Sequence, residues 1–463
     1  MTRESAILER RNGTRNKLLA GDRQAHDWYR FVLSFPPHLV RDYLQRFRVS
    51  AGQCALDPFC GTGTTLVECK KLGIRSVGVE ANPMAWFASR VKTNWSGRPE
   101  GLRQHAEFVA DRTLERLRAD GIEDDPFFRA PRRARTALRG LAPEQESLLL
   151  SGSISPMPLH KTLVLLETLQ EHRDERFDDY ERLALAKALV QTIGNLHFGP
   201  EVGVGPAKPD ARVVSSWLEG VNAIANDLRE LARLERTPAT VHNADSRQIA
   251  DLLQPESVDA VITSPPYPNE KDYTRTTRLE LVILGLIHSK EELRNLKKGL
   301  VRSNTRSVYV ADDDDQWIRD HPEIKRIADA IESRRIELGK TSGFERLYPR
   351  VTKLYFGGMA RHLAGLRQVL RPGAQLAYVV GDQASYLRVM IRTGKILAEI
   401  AQSLGYELTG IDLFRTRLAT ATREQLREEV VLLRWPGTVA TTCVRERPAK
   451  YRRKLRRTGK KRR

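Results

Sequence analysis

The sequence predicts an α/β protein: a doubly wound, mostly parallel sheet of seven strands, broken by two mainly helical insertions. Three observations predict it. Short apolar runs of strand length lie toward both ends of the chain, amphipathic helical patterns follow most of them, and the two longest gaps between them carry helical periodicity. Strands alternating with helices form a parallel sheet covered on both faces.

The strands are expected at Cys54 to Phe59, Ser76 to Ala81, Ala239 to Asp245, Val258 to Pro266, Gln375 to Gly381, Tyr406 to Phe414 and Glu429 to Trp435. Helical patterns follow at Thr64 to Leu72, Pro83 to Asn94, Ser246 to Leu253, Phe356 to Leu370 and Gly394 to Leu404. The first insertion, about Ser96 to Thr237, shows amphipathic stretches at Gly101 to Leu117, Leu159 to Glu171, Tyr180 to Leu196 and Ser216 to Leu234, with a glycine and proline rich turn from Phe198 to Pro209. The second, about Asn269 to Arg350, is charged and mainly helical, and holds Arg302, Arg306 and the acidic run Asp312 to Asp315, expected to be solvated. The expected division is 1–95 (N-terminal segment and first part of the core), 96–237 (first insertion), 238–268 (core), 269–350 (second insertion), 351–440 (last part of the core) and 441–463 (basic tail). Insertions this long at the loops of a fixed sheet usually carry function, so both are candidates for target recognition.

Composition narrows the partner. The chain has 463 residues, 40% hydrophobic and 29% charged, and a formal net charge of +19, which suits a globular protein meeting a polyanion. Twelve Lys or Arg and one Glu between Arg445 and Arg463 concentrate more than half of that excess in the tail. Cys54, Cys60, Cys69 and Cys443 show no CxxC pair and no matching His spacing, so they read as reduced thiols, with neither a disulfide framework nor a metal site. No apolar run of about 18 residues and no apolar leader occur, which excludes a membrane span and a signal peptide and places the protein in the cytoplasm.

The first chemical motif is Asp57, Pro58, Phe59, Cys60, Gly61, Thr62, Gly63, Thr64, Thr65, set between a strand and a helix. Gly61 and Gly63 let the backbone turn tightly and approach a ligand at the helix N-terminus. A dinucleotide fingerprint needs glycine where Leu66 stands, and a phosphate loop needs a missing Gly-Lys-Ser/Thr, so the loop suits neither NAD nor ATP. Glu80, at the end of the second strand, is placed to accept hydrogen bonds from two ribose hydroxyls, and Asp245, closing the third, to accept one from an adenine amino group. The set suits an adenosine ligand without phosphates. Further on, Thr263, Ser264, Pro265, Pro266, Tyr267 closes the fourth strand, where two prolines make a rigid turn displaying Ser264 and Tyr267 at the carboxyl edge of the sheet.

This combination resembles the amino-methylating DNA methyltransferases. Asp57 to Thr65 has the form of their motif I, Glu80 ends their motif II, Asp245 matches the carboxylate of motif III, and Ser264 to Tyr267 matches motif IV, Asp, Asn or Ser followed by Pro-Pro-Tyr. Phe35, Pro36, Pro37, His38 and Leu39 resemble motif X, which packs near the methionine part of the cofactor. The resemblance covers roughly Phe31 to Asn94 and Thr237 to Trp435 less the second insertion. It implies a Rossmann-like class I methyltransferase fold whose last strand, Glu429 to Trp435, runs antiparallel. S-adenosylmethionine is the implied cofactor, held by Phe35, Asp57, Phe59, Gly61, Gly63, Thr64, Glu80 and Asp245. Ser264, Pro265, Pro266 and Tyr267 are the implied catalytic residues, acting on a base flipped out of DNA.

The serine form of motif IV is typical of cytosine-N4 enzymes, and Asp-Pro-Pro-Tyr of adenine-N6 enzymes, so the expected reaction is cytosine-N4 methylation in a restriction-modification or related defence system, with a cognate endonuclease as the possible partner. Adenine-N6 methylation of DNA is the nearest alternative. Guanine-N2 methylation of tRNA is a second, disfavoured because only 56 residues precede Asp57, where those enzymes carry an RNA-binding domain. A catalytically inactive nucleic-acid-binding protein is a third, against which the intact motifs argue. Cytosine-C5 chemistry needs a cysteine after proline, and the residues before the four cysteines are Gln53, Phe59, Glu68 and Thr442. Arg129, Arg132, Arg133, Arg135 and Arg139 offer phosphate contacts, a solvated basic helix being the more ordinary reading of such a run, and Asn195 to Gly205, with His197, Phe198 and Glu201, offers part of a cofactor or base pocket.

Overall fold

The computed structural model describes residues 18–30, 34–125, 137–198, 201–234, 236–269, 271–418 and 425–437. Nine strands lie in these: β1 (Cys54–Asp57), β2 (Arg75–Glu80), β3 (Leu196–Phe198), β4 (Val202–Val204), β5 (Ala239–Asn243), β6 (Val258–Thr263), β7 (Leu370–Gly381), β8 (Glu407–Leu418) and β9 (Gln425–Arg434). Seven form one sheet in the order β5-β2-β1-β6-β7-β9-β8, while β3 and β4 pair apart from it. β1 pairs parallel with β2, Leu56 opposite Val77, and with β6, Leu56 opposite Val261. β9 runs antiparallel to both neighbours. All seven expected sheet strands are present, and the last has the expected direction.

Strand side chains alternate between faces, and here both faces are covered. Leu56, Val261, Leu376, Tyr378 and Val431 enter a core shared with helices Gly343–Leu366 and Thr393–Ser403. Ala55, Ile262, Ala377, Val379 and Val430 enter another, against helices Pro37–Arg46 and Thr64–Lys71. Burying one large aliphatic side chain is worth about 1.5–3 kcal/mol, so apolar residues on both faces lock the central strands in place. The chain winds outward from β1 through β2 to β5, then returns to β6 on the other side of β1. That reversal opens a crevice at the carboxyl ends of β1 and β6, where open α/β sheets bind ligands.

The first insertion packs helices Pro99–Ala119, Pro156–Glu171, Asp178–Ala188 and Val213–Leu231 around Leu102, Leu165, Leu185 and Trp217, and takes in Met84 and Phe87 of the core helix Pro83–Lys92. The Asp124 carboxylate accepts from the backbone N–H of Val213, Val214 and Ser215 at 2.8–3.0 Å, satisfying three donors at one helix start. The helix expected to reach Leu196 stops at Ile193, and the glycine-rich turn beyond it holds the β3–β4 hairpin, Phe198 opposite Val202.

One expected boundary needs correction. The helix expected from Phe356 starts at Gly343 and runs unbroken through Pro349 and position 350, where the second insertion was to end. An interior proline costs about 3 kcal/mol, but Val351, Leu354 and Tyr355 directly after it are buried, and two such side chains already offset that cost. The tail 441–463 and four of the five arginines from Arg129 to Arg139 lie outside the described residues. The fifth, Arg139, pairs with Glu167 at 2.8 Å.

Candidate active site

The loop after β1 is organised from beneath by Asp57. Its carboxylate accepts from Thr65 Oγ1 at 2.7 Å, from Thr263 Oγ1 at 2.6 Å and from the Phe59 N–H at 3.1 Å. Burial pushes its pKa up to about 6, against those three hydrogen bonds. Asp57 is fully buried and does not reach the crevice; it positions the loop rather than touching a ligand. Gly61 and Gly63 both have positive φ, +51° and +83°. A Cβ on Gly63 would lie 2.5 Å from Ser89 Oγ, whereas a Cβ on Gly61 would meet open space. Gly63 is thus required by packing, while Gly61 faces the crevice. Thr64, buried behind the loop, begins the helix Thr64–Lys71.

Glu80 closes β2 in the crevice wall. One carboxylate oxygen accepts from the Gly61 N–H at 2.9 Å and the other from the Asn82 N–H at 2.7 Å. Burial pushes the Glu80 carboxyl up to about 7, with the two backbone donors opposing. Phe59, Val79, Asn82 and Ala85 also line the crevice, as do Ala244 and Ser246 and, from the second insertion, Gly299, Leu300 and Val301. The Phe59 ring meets His362 edge-on at 4.9 Å. His362 Nδ1 reaches the Ser246 carbonyl at 3.0 Å and Nε2 the Tyr378 hydroxyl at 2.8 Å; burial lowers its pKa to about 4, so it is neutral.

Asp245 takes a different place from the one expected. Its carboxylate is held by the Arg247 guanidinium at 2.6–3.0 Å and accepts the Arg247 N–H at 2.9 Å. Arg247 also pairs with Asp314 and donates to the Lys298 carbonyl at 2.9 Å. Asp245 is thus tied to Arg247 and does not itself line the crevice, whose wall its neighbours Ala244 and Ser246 supply. The acidic run is likewise structural in part: Asp314 is buried between Arg247 and Arg361, and Asp312 is held by Arg302.

The turn after β6 brings Ser264, Pro265 and Pro266 into the same crevice. Ser264 Oγ donates to the Val379 carbonyl on β7 at 3.1 Å. The Tyr267 N–H donates to the Tyr273 hydroxyl at 3.3 Å, and a Cβ on Gly381 would lie 3.0 Å from the Tyr267 ring, so that ring lies against the end of β7. Tyr267 lies just beyond the lining residues. Phe35 does not line the crevice either; it packs against the Leu39 and Tyr43 cluster, while Ser34 Oγ lies 3.4 Å from Thr62 Oγ1. Tyr273, Asn82, Leu300 and Val301 line the crevice and were not anticipated as site residues. Asn82 carried a legible signal, since Asn before Pro is a helix start, and it accepts from the Met84 and Ala85 N–H. The β3–β4 hairpin stays outside the crevice, its Val202 carbonyl accepting from Arg275 at 3.3 Å.

Cys60 is buried, with a thiol pushed well above its usual value by burial, and so serves as a small loop residue rather than a nucleophile. Among the described residues no His, Cys, Asp and Glu group has metal-binding geometry, and no helix is long and apolar enough to cross a membrane. Gly61, Glu80, Phe59 and Ser246 line the crevice with an aromatic side chain, a carboxylate and close backbone, groups that suit an adenosine-bearing cofactor, and the Ser264 turn lines it too.

Residues 9–86 match the family model described as DNA methylase, of the N6 and N4 type. Type II methyltransferase M.BsoBI of Geobacillus stearothermophilus is 26% identical over 89% of this chain and 85% of its own length. Type II methyltransferase M.AvaI of Nostoc sp. is 25% identical over 88% of this chain and 86% of its own. Type II methyltransferase M.MjaII of Methanocaldococcus jannaschii is 36% identical over a shorter stretch, 15% of this chain and 13% of its own length.

Proposed function

We propose that this chain is an amino-methylating DNA methyltransferase that draws on S-adenosylmethionine, and that it methylates N4 of cytosine, in a base flipped from the duplex, as the modifying partner of a restriction endonuclease. The observation that carries the reading is Ser264. Its hydroxyl proton is committed to the Val379 carbonyl, so its lone pairs face the crevice as acceptors, the polarity needed to hold an exocyclic amine. Serine in place of Asp in this turn favours cytosine over adenine by family resemblance.

The bound cofactor supplies an electrophilic methyl group on a sulfonium. An exocyclic amine is a poor nucleophile because its lone pair is conjugated into the ring. Hydrogen bonds from that amine to Ser264 Oγ and the Pro265 carbonyl draw the nitrogen toward tetrahedral geometry and free the lone pair for in-line attack. Transfer would form the N–C bond as the donor's C–S bond breaks, and the surplus proton would pass from the substrate nitrogen to water. Gly61, Phe59 and Glu80 hold the adenosine end. Tyr267 stacks on the flipped base, a contact worth about 1–3 kcal/mol, which offsets much of the few kcal/mol that flipping costs.

Incubation of the protein with S-adenosylmethionine and mixed DNA and RNA, followed by nucleoside mass spectrometry, is expected to yield N4-methylcytosine in DNA. N6-methyladenine instead would reassign the base, and methylated RNA alone would sink the reading. Removing Arg445 to Arg463, with its twelve basic residues, is expected to weaken DNA binding and flatten its salt dependence without changing which sequence is methylated, as read by filter binding across salt and by mapping of modified sites.

A further inference from the structure

We propose that Val310, at the tip of the loop Val308 to Asp313, is the wedge that enters the duplex as the target base leaves it. The inference rests on the methylation reading above. Val310 is 94% exposed, the highest value among the exposed large hydrophobic residues of the described chain. A single exposed apolar side chain is ordinary on a protein surface; what sets Val310 apart is the loop that presents it and that loop's tie to the reaction crevice.

The loop that displays it is fixed. The Arg350 guanidinium donates to the carbonyls of Tyr309, Val310 and Asp312 at 3.1–3.3 Å, and the Asp312 carboxylate accepts the Tyr309 N–H at 2.7 Å. The loop is also tied to the reaction crevice. Arg302 binds Asp312 through Nε and Nη2 at 2.9 and 2.8 Å, and through Nη1 it holds the carbonyl of Leu300, which lines the crevice. One guanidinium therefore spans the distance between the crevice wall and the loop. On the other side, Asn304 donates to the Lys271 carbonyl at 3.1 Å, four residues past Tyr267.

The setting fits a polyanion. The exposed Arg294 lies over the Tyr309 ring at 5.5 Å and the exposed Arg306 over Phe344 at 5.9 Å. The neighbouring carboxylates Asp312 and Asp314 are engaged by arginines, which leaves Asp313 as the exposed acid of the tip. A rigid apolar tip flanked by cations beside a base pocket is how side chains part stacked bases.

The test uses the full chain and a duplex bearing the methylation site mapped from modified plasmid DNA. Single-turnover methylation is measured with the target base paired and with an abasic position opposite it, where flipping costs least. Val310→Gly is expected to slow the paired duplex by about tenfold, comparable to the loss of one buried valine, and to slow the abasic duplex less than about twofold. Val310→Leu is expected to retain the wild-type rate on both. Cofactor affinity and melting temperature are expected to be unchanged, the side chain being exposed. Equal slowing on both duplexes, or none on the paired one, overturns the wedge while leaving methyl transfer intact. Absence of DNA methylation by the wild-type chain overturns the functional reading and the wedge together.

Discussion

Ser264→Ala is expected to lower the single-turnover methylation rate by about 10²–10³-fold, the cost of losing one preorganised polar contact to a reacting group, while S-adenosylmethionine binds with near-wild-type affinity. The hydroxyl is anchored to β7 through the Val379 carbonyl and adjoins the cofactor cradle without belonging to it. Its loss removes one hydrogen bond of about 1 kcal/mol from the fold, too little to displace the Pro265–Pro266 turn. Rapid-quench transfer of labelled methyl and calorimetric cofactor titration separate the two effects. A matched loss of rate and cofactor affinity would mean that Ser264 holds the crevice together instead.

Glu80→Gln is expected to weaken cofactor binding at pH 8 by about tenfold or more, since hydrogen bonds to charged groups contribute about 1.5–3 kcal/mol. The carboxylate offers one oxygen to the Gly61 N–H and the other to the Asn82 N–H, and an amide would turn a donor toward one of them. Burial pushes this carboxyl up to about 7. In the proposed role the ionised form would accept ribose hydroxyls and attract a cationic ligand. Wild-type affinity is therefore expected to fall as pH drops through 7, approaching tenfold per unit, and the Gln variant to lack this dependence. Without ligand the sign reverses. A carboxyl whose folded pKa lies above its unfolded value stabilises the fold most at low pH, and that contribution is lost as pH rises through about 7. Titration calorimetry from pH 6 to 8.5 checks the binding side, and an unchanged wild-type affinity across that range rules Glu80 out as the group responsible.

What the sequence made legible is what short-range pattern encodes. Cys54–Asp57 and Val258–Thr263 were readable as strands because buried parallel strands are apolar runs, and the glycines and prolines following them marked where the chain must turn. The Ser264, Gly61 and Glu80 positions came with those turns. Asp245 is held by Arg247, only two residues on, which bends back along a short 3₁₀ turn, and residue type alone does not disclose that pairing. Tyr273, Leu300 and Val301 reach the crevice through tertiary packing of the second insertion, and no periodicity announces that. The helical pattern predicts only the part of helix Gly343–Leu366 from Phe356 on; the turns before it carry Pro349, and the burial that holds them is set by distant strands.

Asp57 joins two segments that are two hundred residues apart in the chain: Thr65 on the cofactor side and Thr263 on the side of the reactive turn. Both halves of the reaction are thereby referenced to one buried carboxylate rather than to the helices inserted between them. The first insertion, which contributes no lining residue to the crevice, is therefore expected to tolerate changes of length that the second, which supplies Tyr273, Leu300 and Val301, does not. If the first insertion carries target choice, chimeras that exchange it at its boundaries are expected to retain turnover and to inherit the sequence preference of the donor, read by mapping of modified sites.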